Sequence, residues 1–173
     1  MRRPLLVTLL ILGAAPAHAD EPAPSGDDAG TGVGEEKGTL GVGLMIGEPL
    51  GVCGRLYLKD DQAIQAAIGA SFFGGGVQLH ADYAFHPYIV QSRESFVLAT
   101  YVGPGVRIIQ YGGDEATGGY FALGLRAVGG LLFDFKNPLD AFFEVAGVFE
   151  YGFADGQGVG FAFNAAAGVR YYF

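Results

Sequence analysis

The residues best suited to chemistry in this sequence are three closely spaced polar residues, His80, Asp82 and His86. They occupy alternate positions of the stretch 77–86, so in an extended chain their side chains share one face. An imidazole beside a carboxylate can bind a metal ion or act as an acid–base pair. The same groups can instead form a buried polar network with arginine and tyrosine. We favour the network and assign no catalytic, metal or cofactor site, because the remaining histidine, His18, lies in a segment that we expect to be removed.

The stretch that carries these residues is one of eight in which apolar residues alternate with small or polar ones. This period of two is typical of β-strands with two different faces. Short turn sequences such as Gly47-Glu48-Pro49 and Asp60-Asp61-Gln62 separate neighbouring stretches, which favours antiparallel pairing. We therefore predict an all-β chain, an eight-stranded antiparallel up-and-down transmembrane β-barrel. Its strands are predicted at about 40–46, 50–59, 63–72, 77–86, 96–110, 120–135, 140–151 and 161–173.

The charged residues of these strands fall on one face, and that face is also rich in glycine. An eight-stranded barrel has an interior only wide enough for side chains to fill, so long charged side chains there need small neighbours. The opposite face carries leucine, isoleucine, valine and phenylalanine without charge, as a surface against lipid requires. We predict a lumen charge network in which five cations balance five anions around one histidine: Arg55, Lys59, His80, Asp82, Arg107, Arg126, Asp134, Asp140, Glu144, Glu150 and Arg170.

The aromatic residues of the apolar face form two groups, which the predicted topology places at the two ends of the barrel. Aromatic side chains concentrate at the two interfaces of a bilayer, with smaller aliphatic residues between them. The pattern therefore favours a barrel that spans a membrane. The group beside the termini is Phe85, Phe96, Phe133, Phe135, Phe143, Tyr171 and Phe173, and the group at the other end is Phe72, Phe121, Phe149, Tyr151, Phe161 and Phe163.

The beginning of the chain has the features of an export signal. Residues 1–19 combine a basic start, an apolar run too short to cross a bilayer, and Ala17-His18-Ala19 as a cleavage sequence. Residues 20–38 are acidic, rich in proline and glycine, and without apolar periodicity, which predicts a flexible leader. The predicted barrel domain occupies 39–173.

Composition narrows the possible partners. The formal net charge of the 173 residues is −8, and removal of the predicted signal with its two arginines leaves −10, which argues against nucleic acid. Cys53 is the single cysteine, so we expect no disulfide within the chain.

Four segments of the sequence resemble a known family. GVGLMIGEPLGVCGRLYL (41–58), LHADYAFH (79–86), PLDAFFEVAGV (138–148) and GVRYYF (168–173) resemble the small outer-membrane β-barrel proteins of spirochaetes and other Gram-negative bacteria, which have no agreed activity. Those proteins are similar to the OmpA-like eight-stranded transmembrane domain. The resemblance extends from about Leu40 to the last residue.

The resemblance implies a location and a set of partners. It implies the outer membrane of a Gram-negative cell, with both termini periplasmic, and contact with outer-membrane lipid and lipopolysaccharide. Val169, Tyr171 and Phe173 resemble the terminal signal that the barrel assembly machinery recognises. We expect a monomer.

The most consistent function is a structural or surface-exposed role, with a charged and largely closed lumen. One alternative is a narrow pore for small solutes, and another is binding of a host or surface factor. A lipid-modifying outer-membrane enzyme would need a serine or histidine near the outer leaflet. The loops predicted outside, around Glu48, 74–76, 112–118 and 154–158, contain neither residue, so we do not predict an enzyme.

Overall fold

The computed structural model describes residues 38–73, 75–113, 119–135 and 137–173. The predicted signal peptide at 1–19 lies outside the described residues. So does the predicted leader at 20–38 except for its last residue, and so do residues 114–118 of the predicted outer loop at 112–118.

The chain forms one antiparallel sheet in which every strand pairs with the strands that precede and follow it. β8 also pairs with β1, so the sheet closes in a ring, and an all-β chain of eight antiparallel up-and-down strands is confirmed. Within the described residues, no helix has the length and apolar content needed to cross a membrane. The strands are β1 (Leu40–Gly47), β2 (Leu50–Lys59), β3 (Gln62–Ala70), β4 (Gly76–Ser92), β5 (Phe96–Tyr111), β6 (Tyr120–Phe135), β7 (Leu139–Gly152) and β8 (Val159–Tyr172).

The first and last strands close the ring over most of the length of β1. Their register extends from Gly41 opposite Tyr172 to Gly47 opposite Ala166. The amide of Phe173 continues the pairing by donating to the carbonyl oxygen of Leu40 at 3.0 Å. Closure satisfies the backbone groups that would otherwise lie along two exposed edges. We call the end of the ring that holds residues 38 and 173 the terminal end, and the opposite end the far end.

The wall of the ring is lower at the far end on the side of β1 than elsewhere. β5 and β6 stay paired up to Tyr111 opposite Tyr120, next to the loop that joins them. β1 in contrast stops at Gly47, and residues 159–164 of β8 extend beyond it without a β1 partner. The wall therefore has a notch above the turn between β1 and β2.

Three strand ends differ from the sequence prediction by two residues or more, and one of them is the start of β8, which lies at Val159, two residues before its predicted position. β4 was expected to stop before Pro87 but continues to Ser92, with register shifts between Phe85 and Tyr88 and between Ile89 and Gln91. Such irregularities accommodate a proline, which has no N–H to donate. β3 stops at Ala70, two residues before its predicted end.

The ring has an apolar outer surface, and its interior holds the charged side chains together with a buried apolar cluster that includes Met45, Leu132 and Phe142. Leu125 and Leu44 on the outer surface are 68% and 65% exposed, whereas Arg55 and Arg170 in the interior are 1% and 2% exposed. Every aromatic residue of the two predicted groups lies on the exposed side, with Phe96 half-buried. The distribution is the reverse of that in a water-soluble domain, whose large apolar side chains are mostly inside.

Small residues make room for the large interior side chains. A Cβ atom at Gly105 would lie 2.0 Å from Oδ1 of Asp82, and one at Gly130 would lie 2.5 Å from the Tyr101 ring. The inward glycines of β5 and β6 are therefore part of the packing of the polar interior.

Candidate functional site in the interior of the ring

The interior polar side chains form three clusters, which follow one another from the terminal end to the far end. Inward positions of the six strands β3 to β8 supply them, because every second residue of a strand points inside. The terminal cluster is Asp140, Arg170 and Tyr172; the central cluster is Gln65, His80, Asp82, Tyr101, Arg126 and Glu144; the far cluster is Arg107, Tyr111, Glu150 and Asn164.

The terminal cluster is a buried ion pair with an added hydroxyl. Arg170 Nε donates to Asp140 Oδ1 at 3.0 Å, and Arg170 Nη2 donates to Oδ2 at 3.0 Å. The Tyr172 hydroxyl donates to the same Oδ2 at 2.6 Å. The guanidinium also lies over the Phe142 ring, 4.2 Å from its centroid. A charge at this depth is tolerated only when it is paired and hydrogen-bonded in this way.

Arg55 joins the terminal and central levels of the interior. Its Nη2 donates to Gln65 Oε1 at 2.5 Å, and its Nη1 lies 3.3 Å from His86 Nε2. The guanidinium carbon lies 4.6 Å from the centroid of the Tyr101 ring, within range of a cation–π contact. His86 therefore belongs to the environment of Arg55 and not to the group around His80.

Arg126 holds the central cluster together. Its Nε donates to Asp82 at 3.0 Å, and its Nη2 donates to Glu144 Oε1 at 2.5 Å. Gln65 Nε2 donates to both carboxylates, at 3.2 and 3.1 Å. The Tyr101 hydroxyl adds a bond to Glu144 Oε2 at 2.8 Å. Both carboxylates are thus satisfied by donors from other strands, including strands that are not their neighbours.

His80 lies beside the same two carboxylates. Its Nε2 is 3.8 Å from Asp82 Oδ2 and 3.9 Å from Glu144 Oε1, and one ligand atom from each of the three residues lies within 4.8 Å of the others. These residue types can bind a metal ion. The Arg126 guanidinium, however, already contacts both carboxylates with its positive charge. The geometry therefore favours an ion cluster over a cation site or an acid–base pair.

The far cluster is built on Arg107. Its Nη2 forms an ion pair with Glu150 and donates to the Tyr111 hydroxyl at 2.8 Å. Its Nη1 donates to Asn164 Oδ1 at 3.2 Å, and the same oxygen accepts from Arg126 Nη1 at 3.2 Å. Asn164 therefore connects the far cluster with the central cluster.

A separate polar contact stabilises the low side of the wall. Glu48 follows β1 and is buried, and its carboxylate accepts from the Ser71 hydroxyl. It also accepts from the backbone amides of Phe72 and Phe73, at 2.8 and 3.3 Å. Ser71 was predicted inside a strand but lies beyond the end of β3. This contact ties the turn after β1 to the loop after β3.

The residues predicted for the lumen do not all reach it. Lys59 is the exception: it is exposed at the end of β2, beyond a register shift between Tyr57 and Lys59. Glu150 is half-buried in the far cluster. The other nine are buried inside the ring: Arg55, His80, Asp82, Arg107, Arg126, Asp134, Asp140, Glu144 and Arg170.

The uncharged partners of these charges were not among the residues predicted for the lumen charge network. Gln65, Asn164, Tyr101 and Tyr111 each contact an arginine or a carboxylate of the clusters. Their inward position could have been derived from the same alternation that placed the charged residues. Their partners could not, because contacts across the ring depend on its diameter and on the register of distant strands.

The central level of the interior is filled by side chains. The cavity beside Gln65, His80 and Glu144 has a volume of about 10 Å³, close to the space of one water molecule. Within the described residues, the arrangement at this level holds the walls of the ring together around a cavity too small for a solute.

The comparisons with known proteins do not assign the chain to a family. No family model matches it, and no curated protein or solved structure matches it. The resemblance to small outer-membrane barrel proteins remains a prediction from the sequence.

Replacing Arg126 tests whether the central cluster stabilises the ring. We expect Arg126→Met to lower the free energy of unfolding by about 3–5 kcal/mol, because two buried carboxylates lose their cation. Equilibrium unfolding in urea measures the change. The control is Lys59→Met, which removes an exposed cation and should change stability by less than about 0.5 kcal/mol. Equal effects of the two substitutions would contradict the role of Arg126.

Proposed function

We propose that this chain is an integral outer-membrane protein, a transmembrane β-barrel with a structural or surface-exposed role and a charged, largely closed lumen. In this proposal the strands cross the bilayer, and the terminal end with both termini faces the periplasm. The protein then works through its presence in the membrane, and its outer surface contacts outer-membrane lipid and lipopolysaccharide.

One observation carries the proposal: large apolar side chains cover the outside of the ring, while the charged side chains lie inside it as buried ion pairs. Soluble proteins rarely expose continuous apolar patches larger than a few hundred Å². Here all eight strands contribute exposed leucine, isoleucine, valine or aromatic residues to the outside. A closed ring with this surface also satisfies its backbone groups internally, as a lipid environment demands.

The exposed aromatic residues support the same proposal. Phe161 at the far end and Phe173 at the terminal end are each 75% exposed. Aliphatic residues such as Val145 and Val169 lie exposed on the strands between such rings. Aromatic rings at both ends and aliphatic residues between them match the two interfaces and the hydrocarbon region of a bilayer.

A narrow pore is the less well supported alternative. A channel for solutes needs a continuous opening, whereas the central cluster leaves a cavity of only about 10 Å³. Arg126 also contacts residues of β4, β7 and β8. The cluster therefore bridges the interior, which an open pore would leave free. The interior accordingly favours a closed lumen.

A lipid-modifying enzyme is also poorly supported. Ser71 lies near the far end, but its hydroxyl is bound to the Glu48 carboxylate. A serine nucleophile needs a base such as histidine within hydrogen-bond reach. In the described part of the chain, His80 belongs to the central cluster and His86 contacts Arg55. Binding of a host or surface factor stays open as an alternative role of the outer loops.

Cell fractionation combined with gel migration tests the membrane location. We expect the protein in the outer-membrane fraction, and we expect unboiled and boiled samples to migrate differently, because a closed barrel resists unfolding by detergent until it is heated. Recovery in the soluble periplasm without a heat-dependent shift would contradict the proposal.

Conductance of the same preparation in planar bilayers tests the closed lumen separately. We expect no discrete current steps from the folded protein, because the central cluster blocks the interior. Regular steps from protein that passes the heat-shift test would favour the narrow pore and would leave the membrane location intact.

The terminal aromatic residue should control assembly. Val169, Tyr171 and Phe173 all lie on the exposed side of the seam with β1. We expect Phe173→Ala to reduce the amount of folded protein in the outer membrane several-fold, as measured by the heat-dependent gel shift. Phe161→Ala is the matched control, since Phe161 is equally exposed at the other end of β8. An equal loss for both variants would contradict recognition of the terminus.

A further inference from the structure

The edge of β8 that faces the notch has no strand beside it. β1 pairs with β8 only as far as Gly47 opposite Ala166, and the amide of Glu48 then donates to the carbonyl oxygen of Ala165 at 2.9 Å. β8 extends beyond that point, and in the described part of the chain β7 is the one strand that pairs with the extension. We call residues 159–163 of β8 the free edge.

The hydrogen bonds of neighbouring residues show which backbone groups of the free edge point into the notch. Successive residues of an antiparallel strand direct their N–H and C=O groups to opposite sides. Odd-numbered residues of β8 face β1, because the carbonyl oxygen of Ala165 accepts from Glu48. Even-numbered residues face β7, because the amide of Tyr172 donates to the carbonyl oxygen of Pro138, next to the start of β7. The backbone groups that point into the notch are therefore those of Val159, Phe161 and Phe163.

A cavity of about 350 Å³ lies beside the free edge, on the inner side of the ring. Ala162 and Phe163 of the free edge line it together with Tyr111 of β5 and Phe73 of the loop after β3, and each of these four residues has exposed surface. The Glu48 carboxylate at the same cavity already accepts three hydrogen bonds. An uncharged aliphatic side chain therefore suits this far-end cavity better than a charged one.

The free edge can recognise a partner through its backbone. The N–H and C=O groups that point into the notch repeat at every second residue, about 7 Å apart. An extended peptide carries complementary groups at the same spacing, and addition of such a strand to an exposed sheet edge is an established mode of peptide recognition. Residues opposite Phe161 and Phe163 would hydrogen-bond with β8, and the residues between them would direct their side chains into the cavity.

We propose that the free edge of β8 binds an extended segment of another polypeptide as an added antiparallel strand, with uncharged aliphatic side chains at alternate positions in the far-end cavity. The added strand continues the line of β1. The inference goes beyond the proposed structural role and does not depend on the membrane location, because the edge and the cavity belong to the ring itself.

N-methylated peptides test the hydrogen bonds of the added strand. The parent probe is fluorescein-labelled Thr-Val-Ser-Val-Ser-Val-Thr with blocked ends, in which the valines enter the cavity and the serines bond to β8. We expect N-methylation of both serines to weaken binding about tenfold or more, because two hydrogen bonds are lost. The matched control carries N-methyl groups on two valines, whose N–H groups point away from β8, and should change the affinity less than about threefold. Fluorescence polarisation with the folded protein in detergent micelles measures both.

A proline at the free edge tests the site from the side of the protein. Phe161→Pro removes an N–H that points into the notch, and among the described residues this N–H has no partner, so the ring loses no hydrogen bond. Proline is tolerated on strand edges for this reason. We expect Phe161→Pro to bind the parent peptide about tenfold more weakly than Phe161→Ala, which loses the side chain but keeps the N–H. Circular dichroism checks that both variants fold.

Three results would overturn the proposal. They are equal binding of the serine-methylated and valine-methylated peptides, equal affinity of Phe161→Pro and Phe161→Ala for the parent peptide, and no binding of the parent peptide to the unsubstituted protein. The comparison of the two methylated peptides remains decisive if Phe161→Pro fails to fold.

Discussion

The contact of Arg126 with Asp82 and Glu144 is the interaction on which the interior of the ring depends. An eight-stranded closed sheet leaves only enough space inside for side chains, so its charged groups must pair with one another. Arg126 lies on β6, and its two partners lie on β4 and β7. Gln65 of β3 and Asn164 of β8 add contacts to the same groups. The cluster around this guanidinium thereby connects five of the eight strands, β3, β4, β6, β7 and β8.

This interior explains why the outer surface is apolar. The inward positions hold the charged side chains and a buried apolar cluster, and the outward positions of every strand carry apolar residues without charge, because successive side chains point to opposite faces. Paired charges stabilise the inside of such a ring. Its outer side chains stay exposed in the folded chain, so they contribute little hydrophobic free energy to folding. An apolar environment would cover this outer surface, and this is the physical basis for the proposal that the chain spans a membrane.

The alternation of apolar and polar residues was enough to predict eight antiparallel strands. It did not indicate where each strand ends or which side chains from distant strands meet. β4 continues past Pro87 through two register shifts in its pairing with β5, and the sequence of β4 alone does not indicate these shifts. Lys59 leaves the interior because of another such shift at the end of β2. The bond between Glu48 and Ser71 joins two separate turns, and the contacts of Asn164 with Arg107 and Arg126 join strands that are not neighbours. Contacts between distant strands form only when the ring closes, so the residue pattern of a single strand does not predict them.

Fluorescence from one introduced tryptophan measures directly whether the outer surface lies in lipid, since the chain contains no tryptophan. Leu125 on β6 and Phe153 in the loop after β7 are 68% and 62% exposed, so they differ in position but little in exposure. In vesicles of acyl-brominated lipid, we predict strong quenching of Leu125→Trp and much weaker quenching of Phe153→Trp. Equal, weak quenching at both positions would contradict a membrane-spanning ring.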